Sequence, residues 1–288
     1  MQDSGYDPVA CKKGQRRSNF EWDAQTRSFA ISLALQLCVI VFSVVALVLQ
    51  EVWSAEDGHG SSSLLTVILI LETVVQVGEF VWYCAIAYRF YFNCASSPVE
   101  TRYIDWVFTT PTMLLTLLLF LSYLKAPCQS ASDPWTTGFV LSVVGTILAD
   151  LLMLLFGLGI EVGGQESAGS TPILGPFLLW ARTNFTTCAV AGFLALAAAF
   201  TPHVVLVAQQ DGPGEAWALL FVTLAIWTVY GIVATAFADA RNNDGVVATE
   251  NGAARNTWYN LLDLLSKNAL GVLVSIVALN HVSTKDKC

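Results

Sequence analysis

Lys267 is the residue at which chemistry could start. It lies inside an apolar stretch, flanked by Leu261, Leu262, Leu264, Leu265, Leu270, Val272 and Leu273. A lysine at mid-bilayer costs roughly 2.5–3.5 kcal/mol on insertion scales, so it needs a partner or a task. Asp263, four residues earlier, shares its helical face. Two readings fit these residues. One is a structural ion pair between helices. The other is a lysine held as a Schiff base with Asp263 in its counterion, since burial beside a carboxylate controls the proton on such a nitrogen. A second charged run reads Arg102, Tyr103, Ile104, Asp105, Trp106, then Thr109, Thr110 and Pro111, with Arg102 and Asp105 about a turn apart. A third set is Glu72, Gln76, Glu79 and Tyr83, whose spacing puts all four on one helical face. In lipid such a stripe must face protein or water.

The elements that carry these residues are apolar spans. The sequence is 55% hydrophobic and only 12% charged, with a mean hydropathy of +0.60, which excludes an ordinary soluble domain. Spans of membrane-crossing length are expected at 24–50, 64–91, 100–124, 135–160, 176–200, 215–238 and 258–280. They make one domain, 24–282, an all-α bundle of seven transmembrane helices. A polar basic arm, 1–23, precedes it and a short tail, 283–288, follows. The first span repeats Ser32, Gln36 and Ser43 at helical spacing, and the fourth holds Asp150. Pro111 leaves the Val107 carbonyl without its usual partner, a kink that a bundle tolerates. The net charge of -8 argues against nucleic acid as a partner. Seven scattered cysteines, without CxxC or a Cys/His cluster, predict neither a metal site nor a disulfide framework. No apolar run near the start suggests a cleavable signal.

Taken together, the chain resembles the microbial rhodopsins, seven-helix retinal proteins. The resemblance covers all seven spans. It rests on Arg-Tyr-x-Asp-Trp followed by Thr-Thr-Pro, here Arg102 to Pro111, and on Asp-x-x-x-Lys, here Asp263 and Lys267. It implies all-trans retinal bound covalently to Lys267 as a protonated Schiff base, Asp105 and Asp263 as counterions, and Arg102 as their support. The implied retinal pocket comprises Trp106, Thr109, Thr110, Met113, Met153, Gly157, Trp180, Trp227, Tyr230 and Ser266. A long apolar polyene suits an aromatic slot, and a cation suits paired carboxylates. The chain departs from the family's pumps at two positions. Gly231 replaces the usual proline after the sixth-span tyrosine. Thr116 stands where proton pumps commonly keep a carboxylic internal donor, and a threonine does not deliver a proton near neutral pH.

A narrower resemblance points to the channelrhodopsins. Ser43, Glu72 and Asn268 match the three residues of their mid-pore constriction. Gln36 and Glu79 match further polar positions along that pore, while Thr110 and Asp150 match a pair near the Schiff base that pumps share. Singly, each is explained by an interhelical hydrogen bond, worth about 0.6 kcal/mol on average. Jointly they imply a light-gated ion channel, favouring cations and protons over anions because carboxylates line the path. The alternative is an outward proton pump without the usual donor, or a sensory rhodopsin. No enzyme activity is expected. The resemblance further implies a surrounding bilayer, a plasma-membrane location, a homo-oligomer, and an amino terminus outside. Basic residues favour the reverse orientation: Lys12, Lys13, Arg16, Arg17, Arg89, Arg241 and Arg255 lie on the amino-terminal side, against Lys125, Lys285 and Lys287.

Overall fold

Many polar side chains are buried and many large apolar ones face outward, unlike a soluble protein. In the computed structural model Ser32, Gln36, Ser43, Glu72, Gln76, Glu79, Asp150 and Lys267 are buried, whereas Ile31, Val41, Val74, Val81, Leu141, Leu194 and Phe221 are exposed. A bilayer is the solvent that makes this arrangement favourable, because each polar group must find its partner inside the protein.

The structure describes residues 24–56, 64–91, 98–125, 130–162, 174–209, 214–238 and 249–283. The expected arm 1–23 and the tail beyond 283 lie outside them, as do Lys12, Lys13, Arg16, Arg17, Arg241, Lys285 and Lys287. The helices are α1 (Ala24–Glu56), α2 (Leu64–Tyr91), α3 (Pro98–Lys125), α4 (Thr137–Val162), α5 (Gly175–Thr183), α6 (Phe185–Ala208), α7 (Gly214–Ala238), α8 (Thr249–Asp263) and α9 (Ala269–Ser283). A π-helical turn, Leu264–Asn268, joins α8 to α9. Seven helices are long and apolar enough to cross a membrane, the seventh formed by α8, the π turn and α9.

The fifth expected span, 176–200, is displaced. The chain breaks at Asn184, whose backbone leaves the helical region at φ −123° and ψ 41°, and the crossing helix is Phe185–Ala208. Asn184 closes both sides of the break. Its N–H and its side-chain amide donate to the Trp180 carbonyl, and its own carbonyl accepts from Cys188 N–H. A short polar side chain competes for backbone groups in this way and ends helices. Arg182, placed by sequence inside the fifth span, is exposed on α5.

α3 runs through the core, with Leu117, Leu118, Leu119, Phe120 and Leu121 all buried. It divides the interior. One side, between α3, α4, α6 and α7, is an apolar cluster of Met113, Leu117, Leu196, Phe200 and Trp227. The other side, towards α1, α2 and α9, combines an apolar cluster of Leu65, Leu69, Phe120 and Val274 with the buried polar stripe. Thr146 donates to the Ala199 carbonyl at 3.3 Å, tying α4 to α6.

Candidate functional site

Three carboxylates converge on one lysine. Lys267 Nζ stands 3.0 Å from Asp105 Oδ2, 3.4 Å from Glu79 Oε1 and 3.7 Å from Asp263 Oδ1. The four residues arrive from α2, α3, the end of α8 and the π turn, and all are buried. In a π turn successive side chains advance by less than the α-helical angle, and such turns mark functional sites often. This one carries Lys267 itself. Asp263 is held by four donors. Trp106 Nε1 at 3.3 Å and Tyr230 Oη at 2.7 Å reach its Oδ1. Tyr83 Oη and the Arg102 guanidinium, the latter at 3.0 Å, reach Oδ2. Arg102 also donates to Tyr83 Oη at 3.1 Å and to Asn260 Oδ1, and Asn260 donates to Ser28 Oγ at 2.7 Å. Charge-assisted bonds of this kind are the strong ones.

An apolar cavity opens from Lys267 into the α3–α4–α6–α7 half. Trp106, Thr110, Met113, Met153, Gly157, Trp227, Tyr230 and Ser266 line it, together with Tyr103, Leu154, Phe193, Leu196, Gly231 and Tyr259. Two expected pocket residues lie elsewhere. Trp180 is 42% exposed on α5, beyond the break at Asn184. Thr109, whose hydroxyl donates to the Asp105 carbonyl at 3.1 Å, is not part of the lining. Two glycines set the shape. A β-carbon on Gly157 would come within 2.8 Å of Tyr103 Oη, and one on Gly231 within 2.8 Å of the Phe193 ring. The sequence flagged Gly231 only as a missing proline, and the Phe193 ring occupies the space that proline would need. Thr110 Oγ1 lies 2.8 Å from Asp150 Oδ2 and 2.8 Å from the Trp106 carbonyl oxygen, within hydrogen-bond reach of both, so the expected pair is in contact.

The expected gate residues are arranged differently from their sequence reading. Glu79 belongs to the lysine site. Ser43 donates to Gln76 Oε1 at 3.0 Å and receives Ser275 Oγ at 3.2 Å. No hydrogen bond joins Ser43, Glu72 and Asn268 to one another among the described residues. Both carboxylate oxygens of Glu72, both side-chain polar atoms of Gln36 and both of Asn268 are buried without a hydrogen-bond partner. α1, α2 and α9 therefore enclose a seam of polar groups that runs past Lys267. Thr116, at the donor position, is buried and donates to the Thr112 carbonyl at 3.0 Å.

A fourth cluster escaped the sequence reading. Glu161, at the end of α4, accepts hydrogen bonds from Tyr103 at 3.1 Å and from Tyr259, and pairs with Arg255 at 3.5 Å. The signal was present, an acid at a span end facing two tyrosines on other helices, but pairing across helices is not readable from one span. Among the described residues no group of His, Cys, Asp and Glu could hold a metal ion, and Cys38, Cys84 and Cys188 are free.

The lysine, its carboxylates and the cavity form one continuous site, and its residues fit a long apolar chromophore attached to Lys267. The aromatic walls stack edge to face, Trp106 on Tyr230 at 5.4 Å and on Tyr259 at 5.2 Å, and the two glycines leave room along the cavity. The family model described as bacteriorhodopsin-like protein matches residues 28–281. No curated protein sequence matches the chain. Among solved structures, the viral rhodopsin OLPVRII superposes with a TM-score of 0.61 at 19% identity, over 90% of this chain and 99% of that one. The Exiguobacterium sibiricum rhodopsin gives a TM-score of 0.60 at 17% identity, over 91% and 98%. The proton-pumping rhodopsin AR2 from the marine alga Acetabularia acetabulum gives 0.59 at 20%, over 92% and 98%. At these identities the likeness is one of fold.

Proposed function

Because the chain belongs to the bacteriorhodopsin-like family, whose members bind retinal through a lysine, we propose that it is a light-gated ion channel with all-trans retinal attached at Lys267. When bound, retinal supplies light absorption and a double-bond isomerisation. The protein's own residues supply the rest. Asp105, Glu79 and Asp263 balance the charge at Lys267. Tyr83 and Arg102 fix Asp263, Asn260 holds Arg102 in turn, and together they close the seam at that level. Trp106, Trp227 and Tyr230 hold the cavity in shape.

One observation carries the channel reading. Glu72, Gln36 and Asn268 are buried polar groups without partners along a seam that passes the lysine. Buried polar groups are normally satisfied, and exceptions call for an explanation such as water. A path already lined with such groups hydrates at little cost once helices shift, and its carboxylates favour cations and protons. The role is transport rather than enzymatic chemistry. By family pattern the amino terminus faces outside, the protein sits in a plasma membrane, and copies associate.

A second reading, an outward proton pump, is favoured by the closure of Arg102, Tyr83, Asp263 and Asn260 across the seam, since a pump must stay shut at one end. Voltage clamp under illumination separates the two. A channel current reverses with the ion gradient, whereas a pump current stays outward against it. A current that never reverses, and that Glu72→Ala leaves untouched, rejects the channel.

A further inference from the structure

One side chain crosses the seam from α2 and rests where α9 has no side chain of its own. A β-carbon built on Gly271 would overlap Nε2 of Gln76, and would stand 2.9 Å from its Cδ and 3.5 Å from Oε2 of Glu72. On its other side the same carboxamide accepts a hydrogen bond from Ser43 of α1, and Ser43 accepts one from Ser275 of α9. Gln76, Ser43 and Ser275 are all fully buried. A single amide thus touches all three helices of the seam at one level. The unpartnered carboxylate of Glu72 lies beside it.

We propose that Gln76, seated in the notch of Gly271, is the plug that keeps the seam shut in the dark. This rests on reading the seam as the ion path. It places the barrier at one carboxamide instead of at a closure of Ser43, Glu72 and Asn268. The physical case has three parts. The amide fills the space that water would need, because Gly271 leaves no atom there to hold the helices apart. It is held by one hydrogen bond between neutral groups, which is weak enough to break and remake within a photocycle. And the notch is coupled to the lysine, because Gly271 follows Lys267 by four residues, just past the π turn. A displacement at Lys267 is delivered to Gly271 along one helix and draws the notch off the plug.

The test is dark conductance under voltage clamp, comparing the parent with Gln76→Ala, Gly271→Ala and the double variant, all reconstituted with retinal. Gln76→Ala is expected to pass a dark current several-fold above the parent's and reversing with the cation gradient. Gly271→Ala is expected to lower the temperature of thermal bleaching by forcing the amide out, and Gln76→Ala in the same chain is expected to restore it. That non-additivity identifies direct contact. If alanine at 76 prevents accumulation, Gln76→Asn, which keeps the amide but withdraws it from the notch, is expected to leak likewise. A Gln76→Ala pigment as tight in the dark as the parent overturns the plug, as does an unrelieved Gly271→Ala. The channel reading is judged separately, by the parent's light current. A pumping parent with a leaky Gln76→Ala removes the channel and keeps the plug. A reversing parent with a dark-tight Gln76→Ala does the opposite.

Discussion

The three acids around Lys267 differ in what else they do. Asp263 accepts from Trp106, Tyr230, Tyr83 and Arg102, so its charge is already spread over four donors. Asp105 is nearer, at 3.0 Å, and its Oδ2 is engaged by the lysine. It is therefore the anion whose loss the lysine site feels most. Asp105→Asn is expected to shift the visible absorption maximum to the red, and Asp263→Asn to shift it less while lowering pigment yield; absorption spectra of the purified pigments check both. Lys267→Ala is expected to give no covalent pigment after retinal is added, as read by the mass of the intact chain. Lys267, Asp263, Arg102 and Asp105 were legible from type and spacing, because a charge within an apolar span is conspicuous and its partners lie a turn away. Glu79 was visible as an intramembrane acid but was assigned to the pore. Its contact with Lys267 depends on how far α2 slides along the π turn, and no single span encodes that depth.

At the scale of elements, the informative features are interruptions. Asn184 splits the fifth expected span and carries Trp180 out of the cavity, and the π turn re-aims Lys267. Periodicity counts apolar positions and passes over such breaks, which are made by one side chain competing for backbone groups or by one inserted residue. The contact of α6 with α7 at Phe193 and Gly231 offers a direct check. Gly231→Ala is expected to push the Phe193 ring into the cavity, moving the absorption maximum and lowering the bleaching temperature. Phe193→Leu in the same chain is expected to reverse part of both changes, measured by heating the pigment and following its colour. Between α4 and α8, Glu161→Gln leaves Arg255 buried without its anion. Breaking a buried pair from one side costs about 3–5 kcal/mol, so bleaching is expected at a clearly lower temperature while the reversal potential of the photocurrent stays put.

For the molecule as a whole, the class of fold followed from composition and seven apolar spans. What the sequence withheld was the division of labour across α3. The cavity lies with α4, α6 and α7, and the seam of buried polar side chains, Gln36, Ser43, Glu72, Gln76 and Ser275, lies with α1, α2 and α9. Lys267 belongs to both, lining the cavity and meeting its three acids beside the seam. Glu72→Gln is accordingly expected to change the reversal potential under altered proton and sodium gradients while leaving the absorption maximum within a few nanometres of the parent's, since Glu72 is not among the acids in contact with Lys267. This partition gives selection two nearly independent dials. A change in the wall facing α4 and α6 can retune the cavity while leaving the seam untouched. A change on the seam-facing sides of α1 and α2 can rework the seam while leaving the cavity walls untouched. Variation among descendants of this chain should accordingly fall into two groups that change separately, meeting only at the few residues that neither pressure can alter alone.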